Sequence, residues 1–261
     1  MKTFQDFNID VGNKSTGKIK TQCPKCSHTR KNKKDKCLSV DVDKGLFNCH
    51  NCGYGGTTKF EKKQDYIIPT RGITKPTLKH WKVGQSVEWF PQVNAKRKAV
   101  NFNYYRENEL VNVKFRDAEK NFKMVSGAEL IFYGLDNIKT MDKIYIVEGE
   151  MDALSLHESG IYSVCSVPNG ASKGNQRLEY LDNCWTYFKD KKEIILCTDN
   201  DTAGIELRNE LARRFGAYKC KYIDFGDYKD ANELLTKKGA ETLRSVLNEP
   251  KNFPLEGILN I

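Results

Sequence analysis

The stretch Lys143-Ile-Tyr-Ile-Val-Glu-Gly-Glu-Met-Asp152 decides how this chain is read. Ile144 to Val147 form an apolar, β-rich run of the kind that fills a buried strand. The run stops at Glu148, turns at Gly149, and restarts at Glu150 as a helical pattern to about Ser159. A strand that ends in acids and a glycine before a helix presents charged groups at the carboxyl edge of an α/β sheet. The same grammar returns downstream, where Ile194-Ile195-Leu196 leads to Asp199-Asn200-Asp201 and then Ala203-Gly204. Two such acid clusters on one sheet can converge on a divalent metal.

Working outward, strands are expected over Ile161–Val167, Glu193–Cys197 and Lys219–Asp224. The helices between them are expected over Asn175–Phe188 and Ala203–Phe215. Further helices are expected from Lys229 to about Leu235 and over Ala240–Leu247, before a polar tail with an apolar patch from Phe253 to Ile258. Strands alternating with helices predict a mostly parallel sheet. Asp199 and Asp201 stand two apart on an extended segment and project the same way. Glu148 ends one strand and Asp230 follows another. All-oxygen donors suit magnesium or manganese. Glu150 and Asp152 read as acids that support the helix start.

Upstream the pattern turns to strands. Val87–Phe90 is one, and Ala99–Arg106 with Leu110–Arg116 form a hairpin around Glu107-Asn108-Glu109. Alternation puts Leu110, Asn112, Lys114 and Arg116 on one face. With Lys120 and Lys123 they can line a phosphate-binding groove. Thr74 is placed to cap a short helix with Pro76 in its first turn. A linker is expected over residues 55–75, around Pro69.

Near the N-terminus, Cys23-Pro-Lys-Cys26 and Cys49-His-Asn-Cys52 are two CxxC knuckles, and four thiolates make a tetrahedral zinc site. Leu38–Val40 and Gly45–Phe47 read as strands of a zinc ribbon, with His28, His50 and Cys37 as bystanders. The loop between the knuckles carries Arg30, Lys31, Lys33, Lys34 and Lys36, a phosphate-contacting patch. His28, Phe47, His50 and Tyr54 are candidates to stack on unpaired bases. Gly12 to Lys18 imitates a phosphate-binding loop, but Ile19 replaces the hydroxyl residue and no strand precedes it, so it reads as a basic loop.

Composition bounds the class. At 39% hydrophobic and 30% charged residues, the chain reads as soluble and globular. It lacks an apolar run of the ~20 residues that span a bilayer and the apolar core of a signal peptide. An odd count of nine cysteines then favours metal ligands or free thiols in a reducing compartment, cytoplasmic or organellar. Residues 1–60 hold 12 Lys/Arg against 5 Asp/Glu, so +7 of the net +9 lies there. That excess points to an anionic partner, nucleic acid first.

The Glu148 and Asp199 clusters resemble the Toprim domain, which primases, topoisomerases and some nucleases share. A zinc ribbon, a basic β-rich segment and a Toprim domain in that order resemble the primase half of phage primase–helicases and Twinkle-like proteins. Further matching stretches are Arg71-Gly72-Ile73-Thr74, Lys114-Phe-Arg116-Asp with Lys120-Asn-Phe-Lys123, Pro168-Asn-Gly-Ala and Lys229-Asp230-Ala-Asn-Glu233.

The resemblance implies an α/β and small-β protein with a zinc ribbon over 1–60, a linker and basic β-rich part over 61–140, and a Toprim domain over 141–261. It implies a primase that makes RNA primers on single-stranded DNA from ribonucleoside triphosphates. Glu148, Asp199 and Asp230 would hold magnesium or manganese, with Asp201 adjacent, while Lys114, Arg116 and Lys120 would neutralise phosphate. A replicative helicase and a DNA polymerase are the expected partners. No Walker lysine motif follows residue 170, so the expectation is a stand-alone protein or one continued by a helicase. A Toprim nuclease and a non-catalytic single-strand-binding module stay open as other readings.

Overall fold

In the computed structural model, the described residues are 3–58, 71–171 and 178–254. The linker around Pro69, the first residues of the helix expected from Asn175, and the apolar tail past Pro254 lie outside them. The chain divides into two units, Met1–Tyr66 with Val83–Leu130, and Ile67–Lys82 with Ile131–Ile261.

The first unit holds two antiparallel sheets. One is formed by β1 (Lys18–Thr21), β2 (Leu38–Asp41), β3 (Leu46–Cys49) and β4 (Gly55–Thr57), side by side in chain order. The β2–β3 hairpin turns at Gly45, whose φ of +68° suits glycine. Its register sets Leu38 against Cys49 and Val40 against Phe47. The flanking strands depart from the expectation of a basic loop and a linker. Lys-Ile-Lys-Thr is short and half lysine, Gly-Gly-Thr is mostly glycine, both residues depleted in strands, and it is the hairpin edges that recruit them. Gly56 is required there, because a Cβ would stand 2.6 Å from the Phe47 ring. Phe47 is 1% exposed and packs against Phe7 and Tyr54. It is a core residue, which corrects its expected role in base stacking.

The other sheet comprises β5 (Gly84–Phe90), β6 (Ala95–Arg106), β7 (Glu109–Asp117) and β8 (Phe122–Met124). The β6–β7 turn is Glu107-Asn108, both with positive φ, a turn whose twist matches the strands it joins. The next turn is organised by Asp117. Its carboxylate accepts the N–H groups of Glu119 and Asn121 and the Asn121 amide. Lys120 sits exposed at that turn with φ +65°.

The second unit runs α1 (Lys75–His80), β9 (Lys143–Val147), α2 (Glu150–Glu158), β10 (Val164–Ser166), α3 (Glu179–Phe188), β11 (Glu193–Cys197), α4 (Thr202–Phe215), β12 (Cys220–Tyr222), α5 (Ala231–Lys238), α6 (Ala240–Leu247) and β13 (Lys251–Asn252). The sheet order is β10-β9-β11-β12-β13. All pairs are parallel except the last. Ile144–Val147 and Ile194–Cys197 are buried throughout, as central parallel strands covered on both faces must be. The chain leaves β9 toward β10 and leaves β11 toward β12. These connections diverge, and a crevice opens between the carboxyl ends of β9 and β11.

Three local expectations are corrected. Residues 251–252 form an edge strand rather than plain tail, because main-chain pairing to Lys221 and Tyr222 needs no apolar side-chain pattern. The strands expected over Ile161–Val167 and Lys219–Asp224 each shorten to three residues. Thr74 precedes α1 as placed, but its N–H and hydroxyl donate to Glu158 at 2.6 and 2.8 Å, so its side chain leaves the helix uncapped. No helix among the described residues is long and apolar enough to cross a membrane.

Candidate metal centres

The knuckles bring Cys23, Cys26, Cys49 and Cys52 together, with their sulfurs all within 4.8 Å of one another. Cys23 to Cys52 and Cys26 to Cys49 are both 3.7 Å. A tetrahedral zinc with arms of about 2.3 Å has sulfur–sulfur edges of roughly 3.8 Å, so the thiols fit that ion. Burial raises the Cys26 thiol, but hydrogen bonding from Asn51 and then from neighbouring thiols outweighs it and brings Cys26 to about 7. Burial pushes Cys52 up to about 11.

Cys37 lies against the four-thiol cluster without being one of its members. Its sulfur lies 3.6 Å from Cys49 and 3.8 Å from Cys26. The hairpin register is the cause, since Cys37 precedes Leu38, the partner of Cys49. Around this site Lys31, Lys33, Lys34 and Lys36 are exposed, while Arg30 is tied to Asp35. His50 is exposed and shares a hydrogen bond with the Ser39 hydroxyl at 2.8 Å.

The second centre lies at the β9–β11 crevice. Carboxylate oxygens of Asp152, Asp199 and Asp230 lie within 4.8 Å of one another. Three elements supply them: the first turn of α2, the end of β11 and the position before α5. Asp152 is thus a member of the cluster, beyond the helix-supporting role expected for it. It is 7% exposed and accepts the Asn232 N–H at 2.9 Å. Gly149 makes room, since a Cβ there would meet the Asp152 carboxylate at 2.7 Å. Gly204 does the same at α4, where a Cβ would stand 2.3 Å from the Asp199 carbonyl oxygen.

Glu148 stands beside this trio. It accepts N–H bonds from Ala171 at 3.0 Å and from Asp199 at 3.3 Å. The Pro168-Asn-Gly-Ala stretch therefore acts through a backbone donor. Asp201 accepts the Gly204 N–H at 3.0 Å and caps α4, and Asp230 accepts the Glu233 N–H at 2.7 Å and caps α5. Lys229 reaches both Asp199, at 3.1 Å, and Asp201, at 3.2 Å.

The acids carry the marks of crowding. Burial, then the charge of Asp230 and Asp199, pushes the Asp152 carboxyl well above the usual range. Burial and the Glu148 charge push Asp199 up to about 7, against the pull of Lys229. Burial raises Glu148, against its two N–H donors. Asp201 is held low by the Gly204 N–H and by Lys229. Like charges so enclosed call for a cation. An all-oxygen donor set of this kind fits magnesium or manganese.

Asn200 and Asn232 carry no local sequence signal of a place in the site. Asn200 donates its amide to the Gly226 and Tyr228 carbonyls, both at 3.1 Å, and its N–H to Lys229 at 2.8 Å. It ties the loop bearing Asp199 to the loop bearing Asp230. Asn232 donates its amide to Arg71 and Ser155, both at 2.9 Å. This explains why the Arg71-Gly72-Ile73-Thr74 stretch belongs with the site. Lys114, Arg116 and Lys120 belong to the first unit. Lys114 and Arg116 stand over the Phe122 ring, 5.0 and 5.7 Å from its centroid.

Residues 145–235 match the family model described as Toprim-like. The chain is 34% identical over 174 residues to the primase homolog protein of Arabidopsis thaliana, covering 60% of this chain and 52% of that protein. It is 32% identical over 214 residues to the Twinkle homolog protein, chloroplastic/mitochondrial, of the same plant, covering 76% of this chain and 29% of that protein. The chain thus spans about half or less of these relatives. The crystal structure of the primase fragment of the bacteriophage T7 primase-helicase protein is similar with a TM-score of 0.57, at 23% identity, over 88% of this chain and 98% of that one. That likeness establishes a shared fold.

Proposed function

From the premise that this chain carries a Toprim domain within a primase fold, we propose that it is a DNA primase, joining ribonucleotides into short RNA primers on single-stranded DNA. The observation that carries this reading is the convergence of Asp152, Asp199 and Asp230 within 4.8 Å at the sheet's switch point. A magnesium or manganese ion held there supplies Lewis-acid neutralisation of triphosphate oxygens.

The chain's own groups do the rest. Asp152, Asp199 and Asp230 are the ligands, and Asp201 holds Lys229 and the start of α4 in place. Glu148, oriented by two backbone donors and raised by burial, is placed to take the proton of an attacking 3′-hydroxyl. The hydroxyl oxygen bonds to the α-phosphorus of the incoming nucleotide, and the bond to pyrophosphate breaks. Lys114, Arg116 and Lys120 neutralise the charge that develops on the triphosphate. The zinc ribbon with Lys31, Lys33, Lys34, Lys36 and His50 holds the template. The expected partners are a replicative helicase and a DNA polymerase, in a cytoplasmic or organellar setting.

The test is incubation with single-stranded DNA, labelled ribonucleotides and magnesium or manganese. Template-dependent short RNA is the expected product. Shortened DNA without synthesis assigns a nuclease, and salt-sensitive binding without chemistry assigns a binding module. Either result overturns the reading.

A further inference from the structure

The β5–β8 sheet has two faces of opposite character. Residues directly opposite across an antiparallel pair share a face, as do residues two apart along a strand. Val87 faces Lys98 and Trp89 faces Lys96. Val100 faces Arg116, which faces Phe122. One face therefore carries Val87, Trp89, Lys96, Lys98, Arg116 and Phe122, and no carboxylate at these paired positions. The other face carries Glu88, Phe90, Arg97, Ala99, Asp117 and Lys123. There the charges are matched, Lys123 with Glu88 at 2.9 Å and Arg97 with Glu119 at 3.3 Å, and Phe90, Ala99 and Asp117 are buried.

The cationic face is open at its β5 end. Val87 is 61% exposed and Trp89 47%, and Lys96 and Lys98 are exposed. Lysines often guard an edge strand against pairing with another chain. That role does not account for these two, because they lie on β6, an interior strand. An exposed aromatic ring set among cations, with no carboxylate at the paired positions of its face, suits single-stranded nucleic acid: a base stacks on the ring and phosphates meet the ammonium groups.

We infer that the Val87, Trp89, Lys96 and Lys98 face is a binding surface for single-stranded nucleic acid, Trp89 stacking on a base and the two lysines contacting phosphates. This rests on the reading of the chain as a template-directed enzyme, lies apart from the ribbon, and extends toward β5 the face that carries Lys114 and Arg116.

The test is fluorescence anisotropy of labelled oligothymidylate against the full chain with its zinc, over a range of salt and without nucleotides. Trp89→Ala is expected to weaken binding roughly five- to 150-fold, the scale of one lost base stack, and Trp89→Phe to retain most of it. Lys96→Gln with Lys98→Gln is expected to flatten the logarithmic salt dependence by about 1.4, two contacts at about 0.7 each. These side chains are exposed, and an unchanged circular dichroism spectrum and melting temperature certify the fold. Binding by Trp89→Ala within twofold of wild type, or an unchanged salt slope in the double variant, overturns the inference. So does a change of sedimenting mass in Trp89→Ala with binding intact, which assigns the face to self-association. Binding needs no chemistry, so the two readings fail separately. A wild type that makes no primer yet depends on Trp89 for binding keeps this surface and loses the primase. Primer synthesis with Trp89-independent binding does the reverse.

Discussion

Four thiols gather from two knuckles on one antiparallel ribbon, whereas three carboxylates gather from the ends of three elements of an α/β sheet. The thiol site is closed. Its donors complete a tetrahedron, and its surroundings are the small core of Ile9, Leu38, Val40 and Phe47. The carboxylate site is open. Asp152 is enclosed, but Asp201 has a side chain 46% exposed and the Lys229 side chain is 56% exposed. A closed soft site spends its ion on folding, while an open hard site leaves positions for water and substrate. The first should fail by unfolding and the second by losing chemistry with its fold intact.

The largest effect is expected at the thiols. Structural zinc contributes roughly 10 kcal/mol or more to units of this kind. Cys49→Ser should therefore release zinc and unfold the ribbon while the second unit keeps its helices, as read by metal analysis and circular dichroism. Next comes Asp199→Asn. Primer synthesis should fall roughly 10²–10³-fold, the scale of one lost electrostatic stabiliser. The metal-free protein should at the same time melt about 2–4 °C higher, equivalent to ~1 kcal/mol from relieved charge crowding. A variant that melts lower would merge the two sites into one class.

The pH response sharpens the contrast. The Asp199 carboxyl is raised from 3.8 to about 7 in the fold. For a raised acid, stability is fully present below the unfolded value and is lost as pH rises through the folded one. The metal-free chain should therefore lose stability between about pH 4 and 7 as Asp199 ionises. Manganese affinity should rise over the upper part of that span, because the ligand form is the carboxylate. Calorimetry and metal titration across pH check both.

Two smaller effects finish the series. Lys229 must release Asp199 when a cation takes that carboxylate, and an exposed ion pair is worth ~0.2–1 kcal/mol. Lys229→Met should tighten manganese binding roughly two- to fivefold and lower the stability of the metal-free chain. Cys37→Ser should keep one zinc per chain and shift stability by no more than about 1 kcal/mol, because four other thiols complete the shell. Loss of zinc in that variant would make Cys37 a ligand.

Sequence legibility follows the same contrast. The knuckles were readable because a CxxC spacing is local, and β9 and β11 because buried parallel strands are continuous apolar runs ending at acids. What escaped depends on partners distant in the chain. Asp152 looked like any helix-starting acid until the fold set it against Asp230. Asn200 and Asn232 looked like loop and helix polar residues. Their amide bonds to Gly226, Tyr228, Arg71 and Ser155 leave no mark on local periodicity. Cys37 was brought beside the four thiols by hairpin register, and β1, β4 and β13 formed through main-chain pairing that short polar or glycine-rich strands do not advertise.

The primase reading rests on Asp152, Asp199 and Asp230 as a divalent metal site. Manganese titration followed by electron paramagnetic resonance tests it most directly. Wild type should be compared with Asp199→Asn, zinc retained, at a pH above the Asp199 titration. Saturable manganese binding is expected in wild type and its loss in the variant, with the fold and zinc content unchanged. Equal stoichiometry and affinity in the two proteins would contradict it.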